Sequence, residues 1–97
     1  MFSVRLINHN DTHMLNICDI DLLGRVLNRD NFTLKISEEY YAQKVVEEEE
    51  AKDLLRKSSN INMVGKEIIS LSTSIGIGSQ VGIKEIDGIP FLIVFKM

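Results

Sequence analysis

The chain has 97 residues, of which 44 % are apolar and 26 % charged, with a formal net charge of -3. A chain of this size buries about 65 % of its unfolded surface, enough for one core, and the composition excludes a disordered or fibrous class. The acidic balance argues against a strongly electrostatic nucleic-acid binder, whose footprint is basic, and no DNA partner is expected.

No apolar stretch approaches the roughly 20 residues that cross a bilayer, and Met1 to Asn10 lacks the basic start and apolar run of a signal peptide. A cytoplasmic protein without a membrane partner is expected. Cys18 is the single cysteine, which excludes an internal disulfide. Half of the acidic residues lie between Glu38 and Asp53, where only Lys44 and Lys52 are basic. The rest of the chain has room for a weakly basic face, with Arg25, Arg29, Arg56, Lys57 and Lys66 as its members.

In chain order, Phe2, Val4 and Leu6 alternate with Ser3, Arg5 and Ile7, the pattern of a half-buried first strand. Asn8 to Thr12 is turn material, and His13 to Cys18 returns as a second strand in an antiparallel hairpin. Asp19 then has the chemistry of a helix cap, Asp21 adds first-turn charge, and Leu22, Leu23 and Val26 share one stripe. A short first helix ending near Asn28 is expected, although Gly24 in its middle weakens it by about 1 kcal/mol relative to Ala.

Phe32, Leu34 and Ile36 alternate with Thr33, Lys35 and Ser37, predicting a third strand, followed by Tyr40 and Tyr41 in a less regular stretch. A second helix starts near Glu47. It sets glutamates in the first turn, Ala51, Leu54, Leu55 and Ser58 on one face, and Arg56 and Lys57 in the last turn, the charge order that a helix dipole favours.

Asn62 is placed to cap a third helix carrying Val64, Ile68, Leu71 and Ile75 within one arc, closed by Gly76 with an apolar contact from Ile77. Val81 to Ile86 reads as a fourth strand, Asp87-Gly88 as a tight turn, and Ile89 to Phe95 as a fifth strand with Pro90 at its start or on an edge. Leu92 to Phe95 is apolar on both faces, so this strand is either covered on both sides or part of a subunit contact. The whole chain, residues 1–97, is therefore one α+β domain: a two-layer sandwich of a mostly antiparallel sheet of about five strands with three helices.

Catalytic chemistry is sparse. His9, His13 and Cys18 are one ligand short of a structural zinc site. His13 is five residues from Cys18 on the same strand and faces the other side of the sheet, leaving His9 as the one histidine to act on the thiol. Gly76, Gly78 and Gly82 follow a helix, whereas a dinucleotide-binding glycine run follows a strand. Tyr40 and Tyr41 have faces for base stacking, but the adjacent acidic run repels phosphate. No catalytic residue, cofactor or metal is expected.

Cys18-Asp19-x-x-Leu22-Leu23-Gly24-Arg25, Tyr40-Tyr41, Leu54-Leu55, Asn62-Met63-Val64-Gly65 and Gly88-Ile89-Pro90 together resemble a small archaeal family, the domain of unknown function 424. The resemblance covers nearly the whole chain and departs where members commonly carry Pro-His, since Phe91 follows Pro90 here. It implies a compact α+β fold in an archaeal cytoplasm and supplies no catalytic residue. It also implies a translation-related setting, and hence a non-enzymatic binding or accessory protein contacting RNA or protein of the translation apparatus.

The candidate interaction surface comprises Asp19, Arg25, Arg29, Arg56, Lys57, Asn62, Gly65 and Lys66. The alternatives are a self-associating scaffold joined through Ile89, Phe91, Ile93 and Phe95, and an enzyme using Cys18 with His9 as base.

Overall fold

The alternating N-terminus forms β1 (Phe2–His9), which turns through Asn10 and Asp11, both at positive φ, into β2 (Thr12–Asp19). This is the expected hairpin, with strands running up to a two-residue turn of residues that tolerate the left-handed region. The computed structural model describes residues 1–96, and the side chains of all of these except His9. Beyond β2 the chain departs from the expected helix. A single 3-10 turn covers Ile20–Leu22, Gly24 takes φ +88°, and Val26–Arg29 is a strand, β3, paired with β4 (Phe32–Lys35). Leu22 buries from the turn and Leu27 from β3, with Leu23 packed against them, whereas Val26, the third member of the stripe that suggested a helix, is half exposed.

The tyrosine pair closes a single helical turn, α1 (Glu38–Tyr41), ahead of a short strand, β5 (Lys44–Val46). α2 (Glu48–Lys57) begins where the glutamate run predicts, with three glutamates in its first turn, Arg56 and Lys57 in its last, and Ala51 and Leu55 fully buried. Lys44 pairs with Glu50, Lys52 with Glu49 and Arg56 with Asp53 across exposed surface, where such pairs contribute little.

The next element corrects the assignment of Asn62 as a cap. Asn60–Val64 is a strand, β6, because Ile61 and Met63 alternate with Asn60 and Asn62 at period two; α3 (Lys66–Ser74) begins only after Gly65. Asn62 instead donates its side-chain amide to Asn16 Oδ1 at 2.8 Å across the sheet. The expected fourth strand shrinks to β7 (Lys84–Ile86): Gln80–Gly82 is a 3-10 turn stabilised by Ser79, whose hydroxyl accepts from Val81 N–H, and Val81 is left 95 % exposed. Asp87 and Gly88, both at positive φ, lead into β8 (Ile89–Phe95) as predicted.

The main sheet has six strands rather than about five, in the order β5-β1-β2-β6-β8-β7, and β3-β4 is a separate two-stranded sheet. All pairings in the main sheet are antiparallel except β2 with β6. Its two faces bury two clusters. Phe2, Val4, Leu15, Ile17, Ile61, Met63 and Leu92 meet Ala51 and Leu55 of α2 and Ile68, Ile69 and Leu71 of α3. On the opposite face, Cys18 and Val64 meet Leu22, Leu27 and Ile36, with Tyr41 and Phe91 at the margin. The two layers thus gain a partial third, the β3-β4 hairpin with α1. Among the described residues no helix is long and apolar enough to cross a membrane.

Candidate functional site

Asp19 ends β2 and points across to the start of α3, a helix that begins forty-seven residues later in the sequence. Its Oδ2 accepts from Glu67 N–H at 3.0 Å and its Oδ1 from Ile68 N–H at 2.8 Å, so one buried carboxylate satisfies two N–H groups that no turn of the helix reaches. Asp19 is a cap, as its chemistry suggests, but of α3 rather than of a local helix.

Burial raises the Asp19 carboxyl above its ordinary range, in opposition to these two donors, and the nearby Glu67 and Asp21 push in the same direction as burial. Gly65 is fixed by the same contact. Its φ is +117°, and a Cβ there would lie 2.3 Å from Asp19 Oδ2 and 2.4 Å from the carboxyl carbon. Gly65 N–H also donates to Pro90 O at 2.9 Å, which ties the entry of α3 to the start of β8.

Three distant segments consequently converge. Asp19, Asp21, Leu22 and Arg25 come from the loop after β2, Gly65 and Lys66 from the start of α3, and Gly88, Ile89 and Pro90 from the last turn; together they line a cleft of about 250 Å³. Arg25 and Lys66 are exposed. Lys66 also borders a wider groove of about 730 Å³ with Glu47, Glu48 and Glu67, so the surface around the cleft carries both signs of charge.

Of the residues singled out from sequence, the cleft brings together Asp19, Arg25, Gly65 and Lys66. The others lie elsewhere. Arg29 ends β3, Arg56 and Lys57 occupy the last turn of α2 on the helical layer, and Asn62 lies on the sheet beside Asn16. Gly88, Ile89 and Pro90 complete the cleft and were absent from the candidate surface. Their signal was the Gly-Ile-Pro run, which reads locally as a turn and a strand start.

Cys18 lies on the face opposite the helices, fully buried, with its thiol pushed up to about 12 by burial and by Asp19 and Asp21. His13 sits on the helical face of β2, where Nδ1 bonds Asn8 Oδ1 at 2.6 Å. The His9 side chain lies outside the described residues, but its backbone pairs with Thr12 while Cys18 pairs with Ser3, at opposite ends of the hairpin and about 20 Å apart. Among the described residues no group of three or more His, Cys, Asp or Glu side chains is placed to hold a metal ion.

The family model described as a protein of unknown function, DUF424, matches residues 7–97. The chain belongs to this family. A crystal structure of an uncharacterised conserved protein from Methanopyrus kandleri is similar to it, with a TM-score of 0.81 and 27 % identity over 99 % of this chain and 93 % of the other. No curated protein matches. The residues of this DUF424 protein that carried the resemblance include those now found lining the cleft, Asp19, Leu22, Arg25, Gly65 and Gly88 to Pro90, with Cys18 and Val64 buried in the core.

Proposed function

We propose that this DUF424 protein is a non-enzymatic binding module of the translation apparatus, and that its contact surface is the cleft between the β2 loop, the start of α3 and the β7-β8 turn. The observation that carries this reading is the convergence of three distant segments on one cleft whose buried carboxylate holds the start of α3. Asp19 is committed to the cap of α3, and Cys18 is buried with a raised pKa, so neither supplies an acid, base or nucleophile.

Within the broader expectation of RNA or protein, the charge pattern favours protein. A polyanion is held by an uninterrupted run of cations, whereas Arg25 and Lys66 stand among Asp21, Glu47, Glu48 and Glu67. Opposite charges interleaved over one surface suit a protein partner of matching pattern.

The test is affinity capture of the tagged protein from its native cells, with and without ribonuclease. A translation protein retained after ribonuclease supports the reading. Capture lost with the RNA, or no translation component at all, contradicts it.

A further inference from the structure

The edge of β8 is only half covered. β7 pairs with Ile89, Pro90 and Phe91 and stops there, because Lys84 is its first residue and Gln80–Gly82 is already a turn. On its other side β8 pairs with β6 from Phe91 to Phe95, and Gly65 N–H to Pro90 O and Lys96 N–H to Ser59 O fix which residues face that partner. Pro90, Leu92, Val94 and Lys96 direct their backbone groups toward β6, so the alternation of an antiparallel ladder turns those of Ile93 and Phe95 outward. Among the described residues no backbone group bonds them there. Their side chains are also free, 60 % and 71 % exposed, on the sheet face that the β3-β4 hairpin leaves open.

Natural edges of this kind are guarded by charge, proline or a bulge. Here Leu92 to Phe95 carries none of these. Lys96, the charge that adjoins the segment, turns its ammonium to the carbonyls of Leu55 and Arg56 at the end of α2. The loop after α3 meets this edge on the helical side, where Gly78 packs against the side chains of Leu92 and Val94 and Gly82 against that of Leu92.

We propose that the protein forms a symmetric dimer by pairing this half of β8 antiparallel with the same segment of a second copy. The stop of β7 sets the register. Centring the two-fold on Val94 places Ile93 opposite Phe95 of the other copy in both directions, so the outward donors and acceptors of each chain meet those of the other. Centring it on Ile93 would set Phe95 against Phe91, whose outer side β7 already holds. In the Val94 register each exposed Phe95 lies beside an exposed Ile93, an aromatic and β-branched pair of the kind that stabilises antiparallel sheets. A second copy therefore completes both the ladder and the apolar patch, with a contact small enough to be concentration-dependent. This inference is independent of the cleft, which lies at the other end of β8 beside Pro90.

Sedimentation velocity with light scattering, from low micromolar to near-millimolar protein, tests it together with amide hydrogen exchange. The expected result is a monomer-dimer equilibrium in which the Ile93 and Phe95 amides slow as concentration rises while those of Leu92 and Val94 do not change. Ile93→Pro removes an N–H that the fold does not use, and Phe95→Lys puts charge in the patch; each weakens dimerisation at least tenfold while circular dichroism stays unchanged. A monomer at every concentration, a dimer that survives both substitutions, or protection of Ile93 and Phe95 that is independent of concentration would overturn the proposal.

Discussion

Asp19 and Gly65 act as one device. The carboxylate caps α3 only because the glycine leaves room for it, and the glycine's positive φ is the backbone bend that turns β6 into α3. Gly65→Ala is expected to destabilise the fold by about 2 to 5 kcal/mol, combining left-handed strain with a clash against a buried carboxylate. Urea unfolding at neutral pH measures this, and a loss below about 1 kcal/mol would separate the two residues.

The raised pKa of Asp19 fixes the sign of its pH dependence. The native state binds more protons than the unfolded one between the ordinary carboxylate pKa and the raised value. Stability from this group is therefore fully present below the ordinary pKa and declines as pH rises through the raised one. The stability of the wild type relative to Asp19→Asn is expected to fall as pH increases across the carboxylate range. A constant or growing difference in urea unfolding would show that the cap dominates burial. Cys18, with a thiol pushed up to about 12, is expected to resist alkylation at neutral pH until the protein unfolds, and rapid labelling of the folded protein would reopen a cysteine-based activity.

The residue chemistry was legible where it was local and illegible in its target. Asp19 reads as a cap in any sequence, but nothing near it says that the capped helix starts at Lys66. Cys18 and His13 fall on opposite faces because five residues along a strand always do.

Among the elements, α2 and the turns at Asn10-Asp11 and Asp87-Gly88 were legible because each carries a local mechanism: the helix dipole in one case and residues tolerant of positive φ in the others. The stretch after β2 was misread because Leu22, Leu23 and Val26 fit a helical stripe, while the pairing that makes Val26–Arg29 a strand comes from Phe32–Lys35. β6 was hidden similarly. Val64 belongs equally to the arc of α3 and to the strand before it, and the alternation of Ile61 and Met63 decides the matter only once β2 and β8 lie on either side. Ile61→Ala is accordingly expected to cost about 2 to 5 kcal/mol, as for a fully buried central strand residue. A thermal or urea measurement showing less than about 1 kcal/mol would contradict this placement. Reversing the first turn of α2 with Glu48→Lys and Glu49→Lys is expected to destabilise by about 1 kcal/mol at low salt, with the difference shrinking as salt is added.

At the scale of the molecule, the parallel contact of β2 with β6 organises everything else. It sets the end of β2 beside the start of α3, and the antiparallel return of β8 then delivers Pro90 to the same place. The cleft is thus a product of topology, which explains why its segments appeared in the sequence as separate short runs. The α+β class and mostly antiparallel sheet were legible from alternation and turns. β4 was legible as a strand from the alternation of Phe32, Leu34 and Ile36, but its place outside the main sheet was not; β3 and β5 were not legible, because they have four and three residues, too few for a period to declare itself.

The proposed contact is with a protein partner, received by this cleft rather than by the remaining charged surface. Quantitative capture with Arg25→Ala/Lys66→Ala, set beside Arg56→Ala/Lys57→Ala as a variant of equal charge change away from the cleft, tests it most directly. The expected result is at least a tenfold loss of the ribonuclease-resistant partner from the cleft variant and near wild-type recovery with the α2 variant. Equal loss from both, or loss from the α2 variant alone, would contradict it.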